Sequence, residues 1–305
     1  MTRIGVVGLG YWGSKVVEEY VALRDNGKLE EVVACDIDEE KFSSLDGVDR
    51  CETDLSKTIN TVDALHVCTG NDSHKPIATQ AMDAGLDVLV EKPLAVSTDQ
   101  AFDMVEHASE TGQVLQTGHI FRFANVVKTL RELLADDYFG EVYYYDLAWT
   151  HRIEPRFAEG VIWDLLTHPT DILNFLTGSW PTVTGGTVGS YRADVAESAE
   201  IHLEDEAADA RANVSLSWVD PVRRREVRVV GEQRSAVAHC ADQRLDIYED
   251  GSSFSYDVEP NNTIRTEAEN FLNTIETREN TFNSAIVGAR AVQVMEEAES
   301  VLYGE

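Results

Sequence analysis

Residues 3–23 read RIGVVGLGYWGSKVVEEYVAL, and their order decides the fold. The apolar run Ile4–Val7 has the character of a buried strand, and a helical pattern follows. Between them stands Gly8-Leu9-Gly10-Tyr11-Trp12-Gly13, the GxGxxG spacing in the strand–turn–helix setting that makes it informative. Gly8 permits the tight turn, Gly10 lets the backbone approach a pyrophosphate, and Gly13 lets the helix sit close to the strand. The helix N-terminus offers unpaired N–H groups and a partial positive charge to phosphates. Tyr11 and Trp12 join the three glycines as candidate cofactor residues. A second strand, Glu31–Cys35, ends at Asp36, 23 residues past Gly13, where a dinucleotide fold places an acid on the adenosine ribose. A carboxylate there accepts from both ribose hydroxyls and repels a 2′-phosphate. No arginine adjoins Asp36 or Asp38, so NAD is favoured over NADP.

Strand and helix signals continue to alternate. Residues 62–68 read as a strand, followed by TGNDSH (69–74) and a helix from His74. Leu86–Val90 is the next strand and runs into Glu91-Lys92-Pro93. Ser97 caps a helix reaching about Glu110, and Val114–Thr117 is another strand. This is the pattern of an α/β, doubly wound parallel sheet, assigned to residues 1–121. Ligands of such sheets lie beyond the carboxyl ends of the strands. GLGYWG, TGNDSH and EKP are three of those ends, which places Lys92, one of seven lysines in the chain, in the ligand crevice.

Composition narrows the field. Fifty-five acids against 25 bases give a net charge of −30, spread as −13 over residues 1–120 and −17 over 121–305. Phosphate would be repelled by such a surface, so nucleic acid is excluded as a partner. Few lysines among many acids is the composition of a salt-adapted cytoplasmic protein, because self-repulsion at this charge calls for screening. No run of eighteen apolar residues exists, and the N-terminus lacks a signal peptide's apolar stretch, so no membrane association is expected. The four cysteines are scattered without CxxC spacing, which fits a reduced compartment and no metal site.

From residue 122 to 305 the character changes. After a helix over Asn125–Ala135, segments such as EVYYYDLAWTHR, ARANVSLSWVD and REVRVVGEQRSAVAHC alternate apolar and polar residues between turn signals. They predict an α+β domain with a large, mostly antiparallel open sheet. Within it lies GVIWDLLTHPTDILNFLTG (160–178), read as a helix interrupted near Pro169. Asp164 and His168 are four apart, hence on one helical face. A carboxylate one turn from an imidazole can orient it, fix its tautomer and raise its pKa. That suits a general base or acid, though a structural pair reads the same way.

GLGYWG, the EKP after a strand, GHIFRF (118–123) and the Asp-x-x-x-His helix together resemble the Gfo/Idh/MocA family, glucose–fructose oxidoreductase and inositol dehydrogenase-like proteins, in order and spacing over nearly the whole chain. The resemblance implies a Rossmann domain binding NAD(P) and a C-terminal sheet that serves the substrate site and a homodimer or homotetramer interface. It implies that Gly8, Gly10, Gly13 and Asp36 hold the cofactor, with Thr69, Asn71 and His74 in the loop beside the nicotinamide ribose and Glu91 and Lys92 also among the cofactor residues. Lys92 would polarise the reacting sugar oxygen, and His168, assisted by Asp164, would accept its proton. His119 and Arg122, from GHIFRF, fall at the substrate. Gly70 and Ala124 depart from the usual family pattern of these loops.

The Tyr-Trp pair and the WDLLTHPTDIL segment look most like members acting on nucleotide sugars, oxidising the 3-position of UDP-N-acetylglucosamine or its uronic acid. Arg122, Arg152 and Arg156 are the candidates for the diphosphate, because a negative protein needs local guanidinium groups to hold a negative substrate. Two other readings stay open: a dehydrogenase of free sugars or inositols, and a dinucleotide-binding sensor without turnover.

Overall fold

The computed structural model describes residues 1–155, 160–205, 209–279 and 282–304. They form two compact units, Met1–Ile120 with Asn262–Val292, and Phe121–Asn261 with Gln293–Glu305.

The first unit follows the expected alternation: β1 (Arg3–Val7), α1 (Tyr11–Asp25), β2 (Glu31–Cys35), β3 (Arg50–Glu52), α2 (Leu55–Ile59), β4 (Ala64–Val67), α3 (His74–Asp83), β5 (Asp87–Glu91), α4 (Thr98–Thr111) and β6 (Leu115–Gly118). The strands pair in the order β3-β2-β1-β4-β5-β6, all parallel. Both faces are covered, so β4 and β5 are buried throughout and read as apolar runs rather than alternations. β1 lies between β2 and β4, and the strand order reverses there, at the position where such sheets bind ligands. Ser97 caps α4 as expected, its hydroxyl accepting from the Gln100 N–H at 3.2 Å.

The second unit contains α5 (Asn125–Ala135), β7 (Val142–Thr150), α6 (Gly160–Leu165), α7 (Thr167–Thr177), β8 (Thr182–Gly189), β9 (Ser198–Asp205), β10 (Ala210–Ser217), β11 (Arg224–Gly231), β12 (Ser235–His239), β13 (Arg244–Glu249) and β14 (Ser252–Tyr256). Eight strands pair in the order β14-β13-β12-β11-β7-β10-β9-β8. The sheet is antiparallel except where β7 and β10 run parallel. Along β9 every second residue is buried and the others are exposed, the mark of a sheet with one covered face. Helices α5, α6 and α7 pack on the sheet, α6 against β9 and β10 and α7 against β7. The helix expected to break near Pro169 breaks earlier, at Leu166. Pro169 has no N–H for the Leu165 carbonyl, so the chain restarts as α7 with proline in its first turn, where that N–H has no intrahelical acceptor in any case.

Two further helices, α8 (Thr263–Thr277) and α9 (Ala285–Tyr303), were not among the expected elements. They change the division of the chain: a boundary at 121/122 leaves everything beyond it in the second unit, whereas residues 262–292 belong to the first. The reason is apolar. Ala268, Phe271 and Leu272 of α8 join Val16, Val17, Tyr20 and Leu23 of α1 in one buried cluster. Glu19 on α1 accepts from Asn262 at 2.7 Å and from the Arg265 guanidinium at 2.8 Å, and Gln116 donates to Thr274 at 3.0 Å. Phe271→Ala should therefore destabilise the first unit by about 3–5 kcal/mol, the range for a fully buried phenyl ring. Denaturant unfolding followed by Trp fluorescence would read the loss, and a shift under about 1 kcal/mol would contradict this packing.

Candidate active site

The dinucleotide loop is shaped by two glycines that no other residue could replace. Gly8 has φ +92°, and a Cβ there would lie 2.8 Å from main-chain atoms of Cys68. A Cβ on Gly13 would stand 1.8 Å from the Gly8 carbonyl oxygen. Around Gly10 the position of a Cβ has nothing within 4 Å, so the fold itself does not require glycine there, whereas a ligand brought against the start of α1 does. A cavity of about 460 Å³ opens at this loop, lined among others by Gly8, Gly10, Asp36, Ile37, Lys41 and Thr69.

Asp36 is fixed at the rim of that cavity. Its carboxylate accepts from the Leu9 N–H at 2.6 Å, the Asp38 N–H at 3.0 Å and the Lys41 ammonium at 2.9 Å. Burial pushes the carboxyl up, but the Leu9 N–H, Lys41 and the Asp38 N–H outweigh it and hold its pKa below the ordinary aspartate value. The loop, the cavity and an ionised acid fit a dinucleotide: the first turn of α1 would hold the pyrophosphate and Asp36 the adenosine ribose. Lys41 is a cation the sequence reading did not place there, so the acid alone does not dictate the choice between NAD and NADP. Asp36→Ala removes the ribose acceptor and releases Lys41. We expect NAD affinity to fall roughly tenfold or more, with NADP losing far less, as calorimetric titration of each cofactor would measure. Equal losses for the two would contradict this role.

The EKP segment is braced on both sides of Lys92. Glu91 is buried at the end of β5, accepts from the Trp12 indole N–H at 2.5 Å, and lies 3.3 Å from His66 Nε2. A Cβ on Gly118 would meet its carboxylate at 2.9 Å. Trp12 and Glu91 thus tie the glycine loop to EKP, and their polar atoms face each other. His74 is likewise internal: Nδ1 lies 2.8 Å from the Pro93 carbonyl and Nε2 3.2 Å from the Thr69 carbonyl. Burial lowers its pKa against the pull of those two carbonyls, and a neutral ring donates to only one of them. We therefore read Glu91, Trp12 and His74 as residues that position the loops, not as direct cofactor ligands. Thr69 accepts from the Ser73 hydroxyl at 2.7 Å, and Asn71 opens the turn Asn71–Ser73. Tyr11 is exposed, with the Lys15 ammonium 2.8 Å from its hydroxyl. Lys92 is half-buried and follows β5 directly, before a cis Lys92–Pro93 bond, and His119 is buried just beyond β6.

His66, Cys68 and Glu91 offer ligand atoms within 4.8 Å of one another, the one trio of metal-ligating type among the described residues. Burial, reinforced by Glu91 and Glu267, pushes the Cys68 thiol well up, which disfavours the thiolate that a soft metal needs.

In the second unit Asp164 and His168 stand on either side of the Leu166 break. Asp164 accepts from the Trp218 indole N–H at 3.0 Å. The His168 ring is half-buried, with Phe121 edge-on at 5.0 Å and Trp149 tilted at 6.3 Å between ring centroids. Phe121 and Trp149 are themselves edge-to-face at 5.4 Å, so the imidazole packs against a pair of contacting aromatic rings. Trp218, Phe121 and Trp149 were missed by sequence reasoning; Trp218 lies 54 residues from its partner and carries no local signal.

The arginines divide differently from expectation. Arg122 is buried, and its guanidinium is spent on Asp171 at 2.5 Å and Asn174 at 2.6 Å. It secures α7 and has no edge to give a diphosphate in this arrangement. Arg152 is exposed, and Arg156 lies outside the described residues.

Comparison with known proteins agrees with the fold. Residues 2–119 match the model of an oxidoreductase family with an NAD-binding Rossmann fold, and residues 127–237 match the Gfo/Idh/MocA C-terminal domain. The chain is 27% identical to UDP-N-acetylglucosamine 3-dehydrogenase of Acidithiobacillus ferrooxidans over 95% of its own length and 94% of that protein. A solved structure of the Acidithiobacillus enzyme superposes with a TM-score of 0.86, at 25% identity, covering 99% of this chain and 98% of the other. The 1,5-anhydro-D-fructose reductase of Ensifer adhaerens is 31% identical over 59% of this chain and 58% of its own. With its parallel Rossmann sheet, its eight-stranded C-terminal sheet and both motifs in place, this chain belongs to the Gfo/Idh/MocA family of oxidoreductases.

Proposed function

We propose that the protein is an NAD-dependent dehydrogenase that oxidises a secondary hydroxyl of a nucleotide sugar, UDP-N-acetylglucosamine or its uronate, at the 3-position. The observation that carries the reading is the Asp164/His168 pair, its carboxylate fixed by Trp218 and its imidazole packed against the Phe121 and Trp149 rings. Similarity along nearly the full length to a UDP-N-acetylglucosamine 3-dehydrogenase supports the substrate class.

His168 accepts the hydroxyl proton, and the neighbouring Asp164 charge favours the imidazolium that results. Lys92 stabilises the negative charge growing on the sugar oxygen. Bound NAD supplies the hydride acceptor. Asp36 anchors the adenosine ribose, and Glu91 with Trp12 keeps Lys92 at the end of a rigid strand. Homo-oligomer assembly through the open face of the eight-stranded sheet and a salt-rich cytoplasm belong to the same proposal.

Purified protein in molar salt, given NAD and each of UDP-N-acetylglucosamine, its uronate, free N-acetylglucosamine and inositol, is the test. NADH should form with a nucleotide sugar, with a 3-keto product identified by NMR. Reduction with the free sugars alone would replace the substrate, and tight NAD binding without reduction by any sugar would replace the enzyme with a sensor.

A further inference from the structure

Arg225, at the start of β11, is a half-buried guanidinium that makes no ion pair with a described residue. Its Nη1 donates to the Thr150 carbonyl at 3.1 Å and the Arg224 carbonyl at 2.7 Å. Its Nη2 donates to His151 Nδ1 at 2.9 Å. Nε has no acceptor among the described residues and Nη2 has one hydrogen to spare, so the guanidinium retains donors for the oxygens of a carboxylate or phosphate. Burial, and then the like charge of Arg223, push the Arg225 guanidinium down to about 10, while Asp164 pulls the other way. Asp164 already accepts from Trp218, so it serves Arg225 as a nearby charge and not as a bonded partner. Arg223 and Arg152 are exposed on either side of this group in sequence. A cation withdrawn from water without a counter-ion is costly, and this one stands in a chain of net charge −30.

We propose that Arg225, held by His151, is an anion subsite that receives a phosphate or carboxylate of the substrate. The assignment rests on the nucleotide-sugar reading for its physiological ligand, and its chemistry can be tested apart from it. It moves the anion-holding role from Arg122, which is spent internally, to a residue on the sheet.

The probes are inorganic pyrophosphate and UDP, titrated by calorimetry at the lowest salt that keeps the protein folded, against wild type, Arg225→Gln and Arg225→Lys. Circular dichroism and NAD affinity confirm that each variant is folded. Arg225→Gln should weaken pyrophosphate and UDP roughly ten- to hundredfold, and Arg225→Lys should restore only part of the loss, because it returns the charge without the fork. In turnover the loss should fall mainly on KM. An equal rise for UDP-N-acetylglucosamine and its uronate assigns the subsite to the diphosphate; a rise confined to the uronate assigns it to the carboxylate. Unchanged anion affinity and unchanged KM in Arg225→Gln would overturn the proposal. Should wild type bind pyrophosphate through Arg225 yet reduce NAD with no nucleotide sugar, the subsite stands and the nucleotide-sugar reading falls.

Discussion

Lys92→Ala should lower the turnover number by about 10³-fold while leaving the protein folded and still able to bind NAD. The expectation follows from how the residue is mounted. β5 is buried along its whole length, Glu91 is pinned by Trp12 and His66, and the Pro93 carbonyl is held by His74. The strand and turn that carry Lys92 are thus braced by Glu91, Trp12, His66 and His74. On the proposed mechanism, what is lost is a cation that meets charge growing on oxygen only as the reaction proceeds, an interaction stronger in the transition state than in the ground state. Lys92→Arg should not restore the rate, since a planar fork cannot stand in for a compact point charge. A Lys92→Ala enzyme that turns over within threefold of wild type would remove lysine from the mechanism.

His168→Asn should cost roughly 10²–10⁴-fold in kcat/KM, the usual contribution of a general base. The more telling readout is the pH profile. A base must be unprotonated, so the wild-type rate should rise with pH through the imidazole pKa, and this acidic limb should vanish in the variant. Loss of rate with the limb retained would point to a packing role against Phe121 and Trp149 instead.

The parts of this molecule that a sequence can show are those written locally. The glycine loop is six adjacent residues between a strand and a helix, and Asp164 and His168 are one turn apart. Each of these signals lies within a single element, and the family resemblance joins them. The parts that could not be read are made by distant pairings. Trp12 and Glu91 are 79 residues apart, and nothing near either one says that an indole N–H caps that carboxylate. Arg122 sits in a motif that points to substrate, but its guanidinium is taken by Asp171, whose side chain the helical pattern alone leaves unassigned. Arg225 shares the stretch 223–228 with Arg223, Arg224 and Arg228; burial and the absence of an acidic partner set it apart only once β11 is paired with β7. The return of α8 to the first unit rests on an apolar face that matches α1, a complementarity between surfaces more than 200 residues apart in the chain.

The central claim is that Lys92 and His168 serve one chemical step, and single-turnover reduction of NAD in a double-mutant cycle tests it most directly. If both act on the same hydroxyl, the Lys92→Ala/His168→Asn double variant should be slowed by little more than the worse of its two parents, as residues acting as a unit are strongly non-additive. Multiplicative losses in the cycle, or a full wild-type rate in either parent, would contradict it.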